Sequence, residues 1–539
     1  MPSAFSLKAI SKSINRDELF KYTNGRFLAN EKQALDRRYV SFDVDRLCEI
    51  AASTGSQHSL VRSIEKLEGG FSKALLLCKE DRTEVIAKIP FAIAGPPKYT
   101  TASEVAVLQY LHAHTQVPVP KVLAWNSDPT NPVGSEYIIM EKAPGIQLYK
   151  IWDEMSDWDR LCVVKHLTKL EGEMTEICFP ASGSLYLRDS MPDNDKYVAL
   201  DLEVDPSGRF CMGPSCERGW HASGKIASVH SRLNRGPWPD LSTFGVALVE
   251  REIALLGWDS TTAASEPPRG SFEEQIDILK LTKEVIFRLS DALLIDKVSE
   301  PVLWHTDLHM GNIYVSEKNP ANIVSLIDWQ SNVVSPLFLQ ARFPEFLPIE
   351  EDYALGMTDF PKLPENYNEM DADDKNYADH KLKEAKLAKA YELSSGFENN
   401  KAYKALRVPS FLRELFIQCG EVSKEGIIPL RACLIELSKV WNDLGCTGQC
   451  PATFSEEDLE RHERHFQEYR DYHEIHELAR NILGTDFEGW ISPQVDFAAI
   501  QQQNRQLLQE VMHRSTEYNK SPDEIRMIWP YLERLQTEH

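Results

Sequence analysis

Long hydrophobic runs are missing from this sequence. No stretch approaches the ~20 consecutive apolar residues that a membrane-spanning helix needs. An excess of positive charge is missing too. The formal net charge of −23 argues against a general nucleic-acid binder, because phosphate contacts need clustered Lys and Arg. Acidic runs such as Glu369–Asp374 (EMDADD) read as solvated surface, although the balance is compatible with a cationic substrate. The ten cysteines form no framework. Cys211 and Cys216 followed by His221, and Cys446 with Cys450, look like half-sites, but neither has a second pair at zinc-ligand spacing. Reduced structural cysteines in an intracellular chain are expected. No Ser sits in a G-x-S-x-G elbow, and no repeat or low-complexity tract appears.

What is present describes an ordinary globular protein of several units. Across 539 residues, 42% are hydrophobic and 26% charged, so one compact core is not enough and roughly three or four domain-sized pieces are expected. The N-terminal stretch MPSAFSLKAISKSINR carries Lys8, Lys12 and Arg16, four serines and no acidic residue before Asp17. It fits a mitochondrial transit peptide as well as it fits a flexible, slightly basic terminus. From about residue 60 the texture changes to strands: SIEKLEGGFSKALLLCKE reads as strand, Gly-containing turn, strand, and TEVIAKIPF as another strand. TASEVAVLQYLHAHT has helical spacing, with Thr101 or Ser103 able to cap it, and SEYIIMEKAPG is an apolar strand ending at a Pro-Gly breaker. The rest is mainly helical, with two short β segments in SEPVLWHTDLHMGNIYVSE and NIVSLIDWQ. Capped helix starts are expected at Ser455 with Asp458 and at Ser521 with Pro522 and Glu524.

The chemistry concentrates in LWHTDLHMGNIYV, residues 303–315. Asp307 and Asn312 are five apart, and Asp328 follows the apolar run IVSLI. A loop holding Asp and Asn, followed by a hairpin that brings in a second Asp, gathers hard oxygen atoms at one point. That set suits Mg²⁺ and the needs of phosphoryl transfer, in which one carboxylate orients the attacking hydroxyl while other oxygens hold metal. Upstream, Gly69 and Gly70 sit at a strand–strand turn, where bare amides can approach phosphate or simply close a hairpin. Lys88 lies inside an apolar strand, where a charge needs a partner. Glu104, at the start of the next helix, is either that partner or the acid of a capping box with Thr101.

HTDLHMGN and LIDW resemble the catalytic and metal loops of the aminoglycoside phosphotransferase and choline kinase-like branch of the protein-kinase-like fold, with Thr306 replacing a common Gly. The resemblance covers roughly residues 60 to 340. FKYTNGRFLANE, VIAKIPFAIAGPP and SPLFLQARFPEFL narrow it to a fungal subgroup that includes the altered inheritance of mitochondria protein 9 group, whose members are largely mitochondrial. It implies a bilobal α+β fold with a small β-rich N-lobe, a large mostly helical C-lobe and a helical C-terminal extension. The implied units are residues 1–16 (transit peptide or flexible terminus), 17–59 (N-terminal extension), 60–142 (nucleotide-binding N-lobe), 143–360 (C-lobe with both loops) and 361–539 (helical extension packed on the C-lobe).

The resemblance also implies ATP and Mg²⁺ as cofactors and a small-molecule hydroxyl as acceptor. Asp307 would be the catalytic base and His305 would brace its loop. Asn312 and Asp328 would hold metal. Lys88, paired with Glu104, would grip the phosphates under Gly69, Gly70, Phe71 and Ser72, and the hinge at Met140, Glu141 and Ala143 would bind adenine. The alternatives are a non-catalytic nucleotide-binding scaffold and an atypical protein kinase, although the protein-substrate segment from Asp-Phe-Gly to Ala-Pro-Glu is absent. No nucleic-acid partner and no transmembrane segment are expected, and mitochondrial localisation is. Arg37 and Arg38 would dock on the nucleotide lobe or cover its cleft. The tail histidines His462, His465, His473 and His476 read as a solvated helix, because HEIH lacks the His-Glu-x-x-His spacing of a zinc site.

Overall fold

In the computed structural model of the protein, residues 6–9, 12–192, 195–221, 233–257, 269–289, 295, 297–350 and 353–532 are described. Residues 1–5, 10 and 11 of the expected leader, and the end of the tail from 533, lie outside them.

The N-lobe is built on strands β1 (Ser6–Ala9), β2 (Lys12–Ser13), β4 (Val61–Glu68), β5 (Ser72–Lys79), β6 (Glu84–Pro90), β7 (Val122–Asn126) and β8 (Tyr137–Glu141). Strand β3 (Arg26–Phe27) stands apart from them. Among the described residues the sheet runs β2-β1-β4-β5-β6-β8-β7. Its register pairs Ala74 with Lys88 and Leu76 with Ile86. Side chains alternate faces along a strand. Leu75, Leu77, Ala87 and Ile89 therefore pack one core, together with Ile64 and the helix Val44–Ala52. Ala74, Leu76, Ile86 and Lys88 face the other way, towards the C-lobe. This alternation is why a lysine can sit within an apolar strand.

The helix Tyr99–His114 crosses behind that second face, and Val105, Leu108 and Leu111 are buried in the core that joins the lobes. Its start differs from the expected cap. Lys98 is at the N-cap with φ +69° and makes no side-chain cap bond, so neither Thr101 nor Ser103 caps it. Both lie inside the first turns. That leaves Glu104 available for a partner outside its own helix.

The C-lobe packs helices Asp157–Thr175, Leu241–Leu256, Phe272–Leu289, Ala372–Glu398, Ser410–Cys419 and Ile428–Val440 around a large apolar core. The chain thus has the bilobal kinase-like fold: a small lobe built on a sheet, a large helical lobe, and the two chemical loops between them. The expected β segment around LWHTDLHMGNIYV divides in two. Pro301–Leu303 pairs with Val334–Pro336, whereas Ile313–Val315 pairs with Ile323–Leu326. The loop carrying Asp307 is suspended between these two small sheets.

Both expected capping boxes form, at Ser455/Asp458 and at Ser521/Glu524. The helix Glu456–Leu483 is not simply solvated, however. His462 is buried, His476 is 2.7 Å from the Ile528 carbonyl, and Phe466 and Tyr469 rest on the C-lobe core. Charge density hid a second, packing face. The ten cysteines are all free thiols; Cys211 and Cys216 are buried, and burial pushes them up to about 12 and about 11.

Helices Asp157–Thr175 and Ala372–Glu398 approach closely because polar pairs stitch them. Tyr391 donates to Glu171 at 2.8 Å, Thr168 and Ser394 hydroxyls meet at 2.6 Å, and Thr175 donates to Asn399 at 2.8 Å. Gly172 permits the approach: a Cβ there would lie 2.5 Å from the Glu398 carbonyl oxygen. Intrinsic helix propensity alone would make Gly172→Ala stabilising by about 1 kcal/mol. The clash with backbone reverses the sign, and a net loss of about 1–3 kcal/mol is expected from urea midpoints. A raised midpoint would contradict this packing.

Candidate functional site

A cleft of about 1150 Å³ separates the lobes. Gly69, Gly70, Phe71, Ser72, Lys88, Glu104, Met140, Glu141, Ala143, Asp307, Asn312 and Asp328 all line it. His305 does not; it is buried behind the loop. The roof is the cleft face of the sheet, with Ala74, Leu76 and Ile86, and the floor includes Met310, Tyr314 and Ile327. Two apolar surfaces facing each other suit a flat ring. At the hinge, Glu141 donates its N–H to the Lys121 carbonyl at 3.0 Å. The Ala143 N–H makes no hydrogen bond to a described residue.

Lys88 is the centre of the charged end. Its Nζ lies 2.7 Å from Glu104 Oε1 and 2.6 Å from Asp328 Oδ1. Burial works to lower the lysine, but the carboxylates of Asp328 and Glu104 outweigh it and hold the ammonium above its ordinary value. Glu104 is raised, chiefly by its own burial, against the pull of Lys88. Desolvation works to raise Asp328, but Lys88 both attracts it and donates to it and holds it below its ordinary value. Asp328 also holds a left-handed backbone at φ +64°, which costs a non-glycine residue about 1–2 kcal/mol. Its side chain remains 43% accessible from the cleft.

The two loops are fixed to each other by His305. Its Nε2 lies 2.9 Å from the Ile327 carbonyl, and its Nδ1 accepts the Asp307 N–H at 3.3 Å. The neutral tautomer with Nε2–H satisfies both bonds, and burial lowers the imidazole so that this form prevails. Trp329 meets the ring edge-on at 4.5 Å between centroids. Thr306, where a glycine is common, donates its N–H to Asn332 at 3.1 Å. His309 closes the turn by accepting the Gly311 N–H at 3.0 Å.

Asn312 is nearly buried, and its Nδ2 donates to the Asp307 carbonyl at 2.9 Å. That assignment leaves Oδ1 as the atom able to meet a cation. Asp307 accepts no side-chain hydrogen bond from a described residue and makes no ion pair among them. Among the described residues, Lys88 is thus the one cation in ion-pair contact with any of Asp307, Asp328 and Glu104. Hard oxygens short of positive charge are the donor set that Mg²⁺ takes together with phosphate oxygens, so Asn312 and Asp328 fit a Mg²⁺ site.

Residues far apart in sequence hold the glycine turn from outside. Arg38, 2% exposed, donates to the Gly70 carbonyl at 3.1 Å and pairs with Glu488. Asn24 donates to the Glu68 carbonyl at 2.6 Å, and Glu68 accepts from Lys73 at 2.5 Å and from the Thr23 N–H at 2.8 Å. Trp490 lines the cleft and donates to the Asn24 carbonyl at 2.8 Å. Strand Trp490–Ile491 pairs with β3, so both extensions reach the turn. Arg38 docks on the lobe. Glu488 and Trp490 carried no local signal.

Compared with known proteins, the chain is 30% identical over 499 residues to the subtelomeric hrmA-associated cluster protein of Aspergillus fumigatus, covering 85% of this chain and 95% of that protein. It is 25% identical over 532 residues to altered inheritance of mitochondria protein 9, mitochondrial, of Saccharomyces cerevisiae, covering 83% of each. Among solved structures it is similar to the ADP-bound aminoglycoside phosphotransferase APH(2'')-Ib, at 12% identity, 69% of this chain, 95% of that one and a TM-score of 0.32. No family model matches the chain.

Beside Asp307 a second pocket of about 300 Å³ reaches Glu171, Thr306, Arg342 and Glu345. Burial pushes the Glu171 carboxyl up to about 8, against the Tyr391 hydrogen bond. The folded chain therefore holds a proton that the unfolded chain releases near its ordinary value of 4.5. The stability this group contributes is present below about 4.5 and is lost as pH rises through about 8. Glu171→Gln should match wild type in urea unfolding at low pH and exceed it in alkaline buffer by on the order of 2–4 kcal/mol. Equal pH dependence of the two proteins would show that Glu171 ionises normally.

Proposed function

This chain belongs to the fungal family of the subtelomeric hrmA-associated cluster protein and altered inheritance of mitochondria protein 9, and we propose that it is an ATP- and Mg-dependent phosphotransferase acting on a small-molecule hydroxyl. The observation that carries the reading is Lys88 bridging Glu104 and Asp328 across the lobe boundary, at the end of a cleft whose other end is a hinge. A lysine in that position binds the phosphates of a nucleotide whose ring lies between sheet and floor. Adenine would take the Ala143 N–H, and the glycine turn from Gly69 to Ser72 would cover the phosphates.

Asp307 orients the acceptor hydroxyl and takes its proton, free of competing protein donors among the described residues. His305 keeps the Asp307 backbone in register with the Asp328 loop, and Asn312 locks the loop through the Asp307 carbonyl. Asn312 and Asp328 would hold Mg²⁺, which supplies neutralisation of phosphate charge. Glu104 keeps Lys88 charged and aimed; removing one partner of such a buried pair costs about 3–5 kcal/mol. A small-molecule acceptor is favoured because the pocket beside Asp307 is about 300 Å³, room for a compact group. The yeast relative is named as mitochondrial, and Lys8, Lys12 and Arg16 ahead of Asp17 support the same address for this chain.

Purified protein incubated with labelled Mg-ATP and a metabolite extract should form a phosphorylated small molecule. Asp307→Asn should lower that product by about 10²- to 10⁴-fold. Equal label in both proteins would end the enzyme reading in favour of a nucleotide-binding scaffold, and label found only on protein would favour a protein kinase.

A further inference from the structure

The C-lobe insertion between the strand Phe210–Gly213 and the helix Leu241–Leu256 brings one arginine to the glycine turn. Arg218 opens a short 3-10 turn, Arg218–Trp220, and its guanidinium lies 3.6 Å from the centre of the Phe71 ring. Phe71 lines the cleft at the tip of the turn. The mount is rigid. Trp220 is buried, its ring is 4.9 Å from that of Trp238, and Arg251 covers it at 4.7 Å.

Arg218 itself is exposed and makes no hydrogen bond or ion pair with a described residue. In a chain with net charge −23, an arginine head without a carboxylate partner among the described residues calls for an explanation. The charges it faces are Asp307, Glu488, Asp328 and Glu217. Asp307 and Asp328 flank the point where phosphate would be transferred. The ring beneath the guanidinium holds it by its face and leaves its N–H edge without a hydrogen bond to a described residue.

We propose that Arg218 is a further catalytic residue, whose guanidinium binds the γ-phosphoryl group of the nucleotide during transfer. The proposal rests on the phosphotransferase reading given above. In the step, the acceptor hydroxyl oxygen forms a bond to Pγ and its proton passes to Asp307. The bond from Pγ to the bridging oxygen breaks, and that electron pair leaves with ADP. Arg218 moves no proton; it offers paired N–H donors to oxygens whose charge is redistributed as the bond breaks. Stacking on Phe71 makes this contact depend on the glycine turn being in place, so the arginine and the turn close together.

The distinguishing readout is the difference between ATP and ADP, because only ATP carries the phosphoryl group in question. Binding of Mg-ATP and Mg-ADP, and slow hydrolysis of Mg-ATP by water, should be measured on the full chain. Arg218→Ala should lose about 10-fold or more in ATP affinity and about 100-fold or more in hydrolysis, with ADP affinity changed less than about twofold. Arg218→Lys should recover part of the loss, and Phe71→Leu should weaken ATP more than ADP. Added guanidinium ion should partly restore hydrolysis by Arg218→Ala. ATP binding and hydrolysis equal to wild type in Arg218→Ala would overturn the proposal while leaving the phosphotransferase reading intact. An equal loss for ATP and ADP would also overturn it, by showing a structural role. If wild type neither binds nor hydrolyses Mg-ATP, the phosphotransferase reading fails and takes this proposal with it.

Discussion

A buried ammonium between two carboxylates organises this molecule. Lys88 comes from the middle of the N-lobe sheet, Glu104 from the helix behind it, and Asp328 from a C-lobe loop 240 residues further on. Each charge alone would be expensive at that depth, and together they are tolerable because the geometry leaves each within 2.7 Å of an opposite charge. The balance is still uneven, with carboxylates in excess. Lys88 meets one oxygen of Glu104 and one of Asp328, and Asp307 stands by unpaired among the described residues. A site in that condition is poised to take up cations and the phosphates that accompany them.

The surroundings transmit position to this centre. His305 ties the Asp307 loop to the Asp328 loop through two ring nitrogens that can both be satisfied only when the ring is neutral. The glycine turn is held from the other side by Arg38, Glu68 and Asn24, and through Glu488 and Trp490 by the end of the chain. The C-terminal segment is therefore part of the N-lobe's scaffold as well as of the helical mass. Because β3 and Trp490–Ile491 form a ladder of only two pairs, side chains add to that attachment: Arg38 paired with Glu488 and the Trp490 indole on Asn24.

Much of the fold and the candidate site could be read from residues alone, for physical reasons that differ from place to place. Lys88 was legible because a charge breaking a period-two apolar strand is costly without a partner. The convergence of Asp307, Asn312 and Asp328 on one cleft was legible from the loop and hairpin taken together, although each residue alone reads as a turn former. The capping boxes at Ser455 and Ser521 are local, and local chemistry is easily read. The start of the helix Tyr99–His114 was misplaced because Lys98, with φ +69°, begins it without any cap chemistry. Arg38 with Glu488 could not be paired from sequence, being 450 residues apart. The packing face of the helix Glu456–Leu483 was hidden because its buried residues include His462 and Asp471, polar types whose burial depends on partners elsewhere.

The proposed site, with Asn312 and Asp328 holding Mg²⁺ beside the nucleotide phosphates, makes nucleotide binding depend on the metal. The direct measurement is the thermal midpoint with saturating ATP, in the presence of Mg²⁺ and in the presence of a chelator, for wild type and Asp328→Asn. Ligand that binds only the folded chain raises stability by RT ln(1 + [L]/Kd). The account predicts a clear rise with Mg-ATP in wild type, little rise with ATP and chelator, and no dependence on Mg²⁺ in Asp328→Asn. An equal rise with and without Mg²⁺ in wild type would contradict it.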